Sequence, residues 1–294
     1  MKKILQFSGF VLLAPVITAV SLLPFFLLYR VSDLLYVILY HLVKYRRDVV
    51  RYNLSVAFPE KTDSERKKIE KEFYRHLADI FVEMIKTFTI AQDKLNRHFY
   101  LKNPEILNEI YDRGQSVIVY GGHQGNWEWI FGVGKQLKHR PMAIYKKLSN
   151  PFFDKWVLQT RSRFHMDLIP TFLAKRYIQT QEQNGRKTAY GFLGDQNPLP
   201  HKAKLWLPFF GKEVPVLTGA EAIAKQYGIP IVFMEIKKLK RGYYEAELSL
   251  LTDKPGQNPE FEITREYFKR LENSIRKQPA YYYWIHRRFK HARK

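Results

Sequence analysis

The segment Ser116–Trp129, SVIVYGGHQGNWEW, carries the residue types best suited to chemistry in this chain. A β-branched run passes through paired glycines to His123, and Glu128 follows five residues later. On a regular helix, at about 100° per residue, five positions set two side chains roughly 140° apart. They could not act together there. A chain that leaves a strand at Tyr120 and turns through Gly121, Gly122 and Gly125 allows them to converge. Asn126 is then the expected N-cap of a helix with Glu128 in its first turn. A histidine oriented by a carboxylate at the mouth of an α/β sheet is suited to abstracting a proton from a hydroxyl. The competing reading is a surface turn with a capping carboxylate.

Other chemistries lack their residues. There is no G-x-S-x-G elbow, no H-E-x-x-H helix, no P-loop and no G-x-G-x-x-G turn. Cysteine is absent, which removes disulfides, thiolate nucleophiles and Cys-ligated metals. His139, His165 and His201 stand alone without metal-ligand spacing, so no metal site is expected. Without a protein nucleophile, His123 acts most simply as general base on a substrate hydroxyl. That hydroxyl attacks an activated acyl or phosphoryl group directly, and the neighbouring basic and polar groups are available to hold an anionic substrate.

The elements that must position these residues alternate. Strand-like runs at Ser116–Tyr120, Met142–Tyr145, Asp167–Ile169, Thr188–Leu193 and Ile229–Met234 are separated by helical stretches. The pattern predicts an α/β fold with a largely parallel mixed sheet flanked by helices. Tyr243–Leu248 is read as an added edge strand. Ser64–Phe88 carries apolar residues at three- and four-residue steps and reads as one core-facing helix. In open α/β sheets, sites lie beyond the carboxyl ends of strands. His123 follows one such end, and Asp195, in FLGDQNP, follows another.

From Ile4 to Tyr29 no residue is charged. The run is long enough to span a bilayer core of about 20 residues, and Pro15 and Pro24 are tolerated in such helices. A cleaved signal peptide is disfavoured because the apolar run is too long. Lys44, Arg46, Arg47 and Arg51 after the span outweigh Lys2 and Lys3 before it, which places the remainder in the cytoplasm. Leu34–Val43 is too short to cross and is expected in the interface. The expected division is an anchor at 1–45 and a catalytic domain at 46–294. Across 294 residues, 49 Lys and Arg against 28 Asp and Glu leave +21, which calls for a polyanionic partner.

GGHQGNWEW resembles the H-x4-D/E signature of glycerolipid acyltransferases, in the H-x-G-N-W-E form of the lipid A biosynthesis (lauroyl/myristoyl) acyltransferase family. RYNLSVAFPE, IYKKLSNPFFDKWVLQTRSRF, FLGDQNP, LPFFGKEVPVLTGAEAIAKQYGIPIVF and PAYYYWIHRRFK resemble further blocks of that family, in its order, over Arg51–Lys290. The resemblance implies transfer of a fatty acyl chain from acyl carrier protein to a hydroxyl of a phosphorylated glucosamine lipid. It also implies that the membrane is the bacterial inner membrane. It makes His123 the base and Glu128 its orienting partner. No tightly bound cofactor is implied, since the carrier's phosphopantetheine thioester is a donor substrate. Gln124, Gly125 and Asn126 of the same turn are read as substrate contacts, with backbone amides near the last two, at a helix N-terminus, as oxyanion donors. The substrate block carries over to Tyr145, Asn150, Asp154 and Arg161. Asp195 and Gln196 are read as lining the acceptor pocket, against a structural role at a strand end, and Gly211 as permitting close backbone approach in a segment otherwise read as core. Lys146 stands where the family usually has arginine, and lysine cannot make arginine's two-pronged phosphate contact. Lys147 is a weaker candidate.

Three alternatives are weighed against this. An acyltransferase with the same dyad acting on a lysophospholipid or amino-acid lipid is separated only by Lys146. A membrane-anchored nucleic-acid-binding protein accounts for the charge, but its cations are dispersed and nucleic acid is not an expected partner. A dead scaffold is inconsistent with an intact dyad. The C-terminal Trp284, His286, Arg287, Arg288 and Lys290 are read either as a solubilising tail or as a contact for headgroups or the acidic carrier.

Overall fold

The computed structural model describes residues 2–293; Met1 and Lys294 lie outside the described residues. Helix α1 (Lys2–Leu22) and helix α2 (Phe25–Val37, continued by a wide turn to Leu42) replace the single apolar span expected from sequence. The break falls at Leu23–Pro24, where proline cannot donate the hydrogen bond that would continue the helix. Both segments are long and apolar enough to cross a membrane. Leu12, Leu13 and Val16 of α1 face outward. Helix α2 instead buries Leu28 and Ser32 against helix α4 (Asp63–Lys86), which follows helix α3 (Arg47–Ala57). Thr62 and Glu65 close a capping box at the start of α4.

The remaining chain builds the sheet. In order come α5 (Gln92–His98), β1 (Phe99–Lys102), α6 (Glu105–Asp112), β2 (Val117–Gly121), β3 (Arg140–Tyr145) and α7 (Pro151–Ser162). They are followed by β4 (Asp167–Pro170), α8 (Ala174–Gln183), β5 (Thr188–Leu193), the hairpin β6 (Leu205–Phe209) and β7 (Lys212–Val216), and α9 (Gly219–Tyr227). Then come β8 (Ile231–Lys240), β9 (Tyr243–Thr252) and α10 (Glu262–Lys277). Seven strands pair in the order β1-β9-β8-β2-β5-β3-β4. Every pairing is parallel except β8 with β9. The α/β class and the largely parallel mixed sheet are as expected. The position of β9 is not: β1 covers it, so it is an inner strand.

The two faces of the sheet bury separate cores. Ile118, Tyr120, Tyr190 and Phe233 pack under α9 and α10. Val117, Val119, Ala189 and Met234 face Leu107 of α6 and Trp129, Phe131 and Val133 of the segment after β2. Alternation along β2 sends successive residues to opposite faces, so its burial is complete on both sides.

Candidate active site

Strands β2 and β5 are parallel neighbours in the register Gly121 opposite Leu193. His123 and Asp195 each lie two residues beyond that pair, so both loops leave the carboxyl edge side by side. The His123 Nδ1–H donates to Asp195 Oδ1 at 2.6 Å, and the His123 backbone N–H donates to Asp195 Oδ2 at 3.0 Å. The bidentate grip fixes both the ring and the turn that carries it. With Nδ1 protonated, Nε2 presents its lone pair outward, where the Gln196 side-chain amide faces it at 3.4 Å. Trp127 and Tyr283 flank the imidazole, with centroids 5.5 and 5.8 Å away.

Electrostatics follow from this arrangement. Burial pulls the His123 pKa down, but the Asp195 charge and hydrogen bond, with Glu128 behind them, outweigh it and leave the imidazole above its ordinary range. Burial pushes Asp195 up, and the His123 charge and hydrogen bonds overcome that, so its carboxyl stays below the ordinary range. The pair stabilises an imidazolium, which a general base becomes when it accepts a proton.

The carboxylate assigned to His123 is therefore corrected. Glu128 enters the segment after Asn126 and forms a close ion pair with Arg161 of α7, so its influence on His123 acts through space. Asn126 does cap the following segment, its Oδ1 accepting from the Trp129 N–H at 3.1 Å. That segment, Trp127–Gln136, is a 3₁₀ helix rather than an α-helix.

The turn itself is held from beneath. Gly125 has φ +52°, and a Cβ there would stand 2.5 Å from Ile236 Cγ2, so glycine is required. The Gly125 N–H donates to Tyr281 O at 2.9 Å, and the Tyr283 N–H donates to His123 O at 3.1 Å. The Gly125 amide is thus committed and unavailable to an oxyanion. Gln124 is buried and accepts from Ser274, which makes it part of the frame. Asn126 Nδ2 donates to Glu83 Oε2 at 2.7 Å, and Glu83 also accepts from the Tyr29 and Tyr244 hydroxyls at 2.8 and 2.9 Å. Burial and the neighbouring Asp79 charge push the Glu83 carboxyl up to about 7. His76 Nε2 donates to Gly125 O, and its Nδ1 accepts from Lys238, which in turn pairs with Asp79. Sequence reasoning passed over these groups. Their signal was a polar stripe at helical spacing (His76, Asp79, Glu83, Lys86) inside the apolar helix α4, every member of it buried.

A largely apolar cavity of about 480 Å³ opens at His123. Tyr145, Lys146 and Gln196 lie beside His123 in its wall, and the cavity runs between the sheet and the 3₁₀ segment to Leu101, Leu107 and Leu248. The other expected substrate contacts have different work. Asn150 caps α7 by accepting from the Phe152 and Phe153 amides. Asp154 is buried and accepts from the Leu148 N–H at 2.8 Å, shaping the loop after β3. Arg161 is tied to Glu128, and Lys147 is exposed outside the cavity wall. Gly211 sits at the β6–β7 turn with φ +72°, where Phe209–Gly211 reverses the hairpin, and does not line the cavity at His123. The C-terminal cluster divides: Arg287 and Lys290 are exposed, whereas the rest of it is built into the fold rather than forming a tail. Trp284 and Arg288 are buried, Asn53 donates to the Trp284 and His286 carbonyls, and Arg288 donates to Pro215 O.

The family model for bacterial lipid A biosynthesis acyltransferases matches residues 2–291. The chain belongs to this family. Among relatives of this acyltransferase, the lipid A biosynthesis palmitoleoyltransferase of Escherichia coli (strain K12) is 25% identical over 256 residues, covering 84% of this chain and 80% of the relative. The lipid A biosynthesis lauroyltransferase of the same strain is 22% identical over 275 residues, covering 91% and 87%. A lipid A biosynthesis acyltransferase of Haemophilus influenzae is 22% identical, covering 83% and 78%. The family assignment replaces the nucleic-acid reading of the positive charge.

Proposed function

We propose that this acyltransferase moves a fatty acyl chain from the thioester of an acyl carrier protein to a hydroxyl of a lipid A precursor, on the cytoplasmic side of the inner membrane. One observation carries the reading: an imidazole fixed by a buried carboxylate opens onto a deep apolar cavity. His123 Nε2 takes the hydroxyl proton as the acceptor oxygen attacks the thioester carbonyl. A C–O bond forms, the C–S bond breaks, and the imidazolium returns the proton to the leaving thiolate. Asp195 sets the tautomer and stabilises the imidazolium throughout. The Gln196 amide, beside Nε2, is placed to donate to the oxygen on which charge develops. The cavity falls within the usual size range of ligand sites, about 300–1,000 Å³, and houses the acyl tail. Lys146 at its mouth supplies a single cation for a phosphate. The +21 charge suits both an acidic carrier and an anionic leaflet.

Purified protein in nanodiscs, given acyl carrier protein thioester and a lipid A precursor, is expected to yield a precursor one acyl chain heavier by mass spectrometry. His123→Ala should lose roughly 10²–10⁴-fold in turnover with an unchanged circular dichroism spectrum. Product formed with a lysophospholipid but not with the lipid A precursor would overturn the acceptor. Product formed without the carrier would overturn the donor.

A further inference from the structure

The loop after β4 makes a 3₁₀ turn, Thr171–Leu173, none of whose side chains is buried. Phe172 is 77% exposed and Leu173 42%, and Leu148 of the neighbouring loop is 44% exposed. Pro170 before the turn and buried Ala174 after it hold the tip out from the body of the protein. Singly exposed apolar residues are ordinary at a protein surface; this tip is distinguished by what surrounds it.

Two features identify the occupant. First, the tip is continuous with α1, the helix whose apolar side chains face outward. Thr171 Oγ1 donates to Tyr145 O at 3.2 Å, and Tyr145 opens the loop that reaches Asn150. Asn150 Nδ2 donates to Gln6 O at 2.9 Å, and Gln6 Nε2 donates to Ser149 O at 3.0 Å. Phe7 and Phe10 of α1 then pack on Phe152 and Phe153, each pair with centroids 5.1 Å apart. Second, exposed Lys146, Lys147, Lys175 and Arg176 surround the apolar tip, an arrangement that suits an anionic headgroup layer over acyl chains.

We propose that Phe172 and Leu173 insert into the membrane interface as a second anchor beside the cavity mouth, which Tyr145, Lys146 and Thr171 line. The tip holds that mouth at headgroup depth, so an amphiphilic acceptor presents its hydroxyl to His123 without leaving the bilayer. The inference rests on the membrane-anchored reading of α1.

The chain has no cysteine, so single-cysteine variants carry one spin label each. Phe172→Cys, Leu12→Cys in α1 and Lys254→Cys, two residues past β9 at the end of the sheet where β8 begins, are labelled in the full-length protein. Each is placed in phosphatidylcholine–phosphatidylglycerol nanodiscs. Collision with oxygen is expected to exceed collision with a water-soluble nickel chelate at positions 12 and 172, and to be the lesser at 254. Lipid contact at 12 with a water-exposed label at 172 overturns the proposal and leaves the anchor standing. Water exposure at both overturns the anchor as well. Shielding at 172 only on addition of acidic carrier protein reassigns the tip to that partner. Phe172→Asp should raise KM for acceptor presented in vesicles several-fold with kcat retained; a fall in kcat at constant KM contradicts the account.

Discussion

Asp195 and Glu83 are both fully buried carboxylates, and both grip the GGHQGN turn, from opposite sides. Asp195 meets a group that can become a cation, so its charge is favoured and its pKa lies low. Glu83 meets two phenols and an amide, which donate hydrogen bonds but bring no charge, and burial holds its pKa near 7. The same residue class, equally buried, is thus set to different tasks by its partners. Asp195 favours the protonated form of the His123 ring. Glu83 positions the turn that presents it, and through Tyr29 it ties that turn to α2.

Variants at these positions sharpen the contrast. The largest expected effect is at Asp195. Asp195→Asn keeps the shape but removes the charge, and kcat is expected to fall by roughly 10²–10⁴-fold with little change in thermal stability by calorimetry. Glu83→Ala should act on the fold instead. It leaves buried donors unsatisfied at about 1–3 kcal/mol each, measurable as a lowered denaturation midpoint. Glu83→Gln should retain most of the stability and change its pH dependence. A carboxyl whose folded pKa is raised stabilises most below its unfolded value, and that contribution is lost as pH rises toward about 7. The glutamine variant should therefore show a flatter stability profile between the unfolded carboxylate range and neutrality. Gly125→Ala should cost about 1–3 kcal/mol, because it forces a Cβ into a left-handed turn already in contact with Ile236. The smallest effect on the His123 titration is expected from Glu128→Gln, since Glu128 does not touch the ring. A shift equal to that of Asp195→Asn would erase the distinction between the two carboxylates.

Much of the fold was legible because its strands carry β-branched and aromatic runs between helical stretches. Strand β5 appears at the residues expected, and β2 and β3 differ only at their ends. Strand β1 has four residues and no such signal, and without it β9 looked like an edge. His123 was legible from its glycine-flanked position past a strand. Its partner was not, because local spacing favours Glu128. The choice of Asp195 depends on which strands are neighbours and in what register, and neither is encoded within fourteen residues of chain. Arg288 reads as a surface cation in a basic tail, yet it lies buried, stacked 5.3 Å from the rings of Phe209 and Phe268. Only the fold of the C-terminal segment back over α3 and the β6–β7 hairpin reveals that.

The central claim is that Asp195 raises the basicity of the imidazole that deprotonates the acceptor. It is tested most directly by the pH dependence of kcat/KM for acyl transfer by the native protein and by Asp195→Asn. The native profile should rise with pH through a value above that of an ordinary histidine, about 6.5, because the base must be neutral to work. In Asp195→Asn the same limb should move to lower pH as the rate falls. An unmoved limb in the variant would contradict the account.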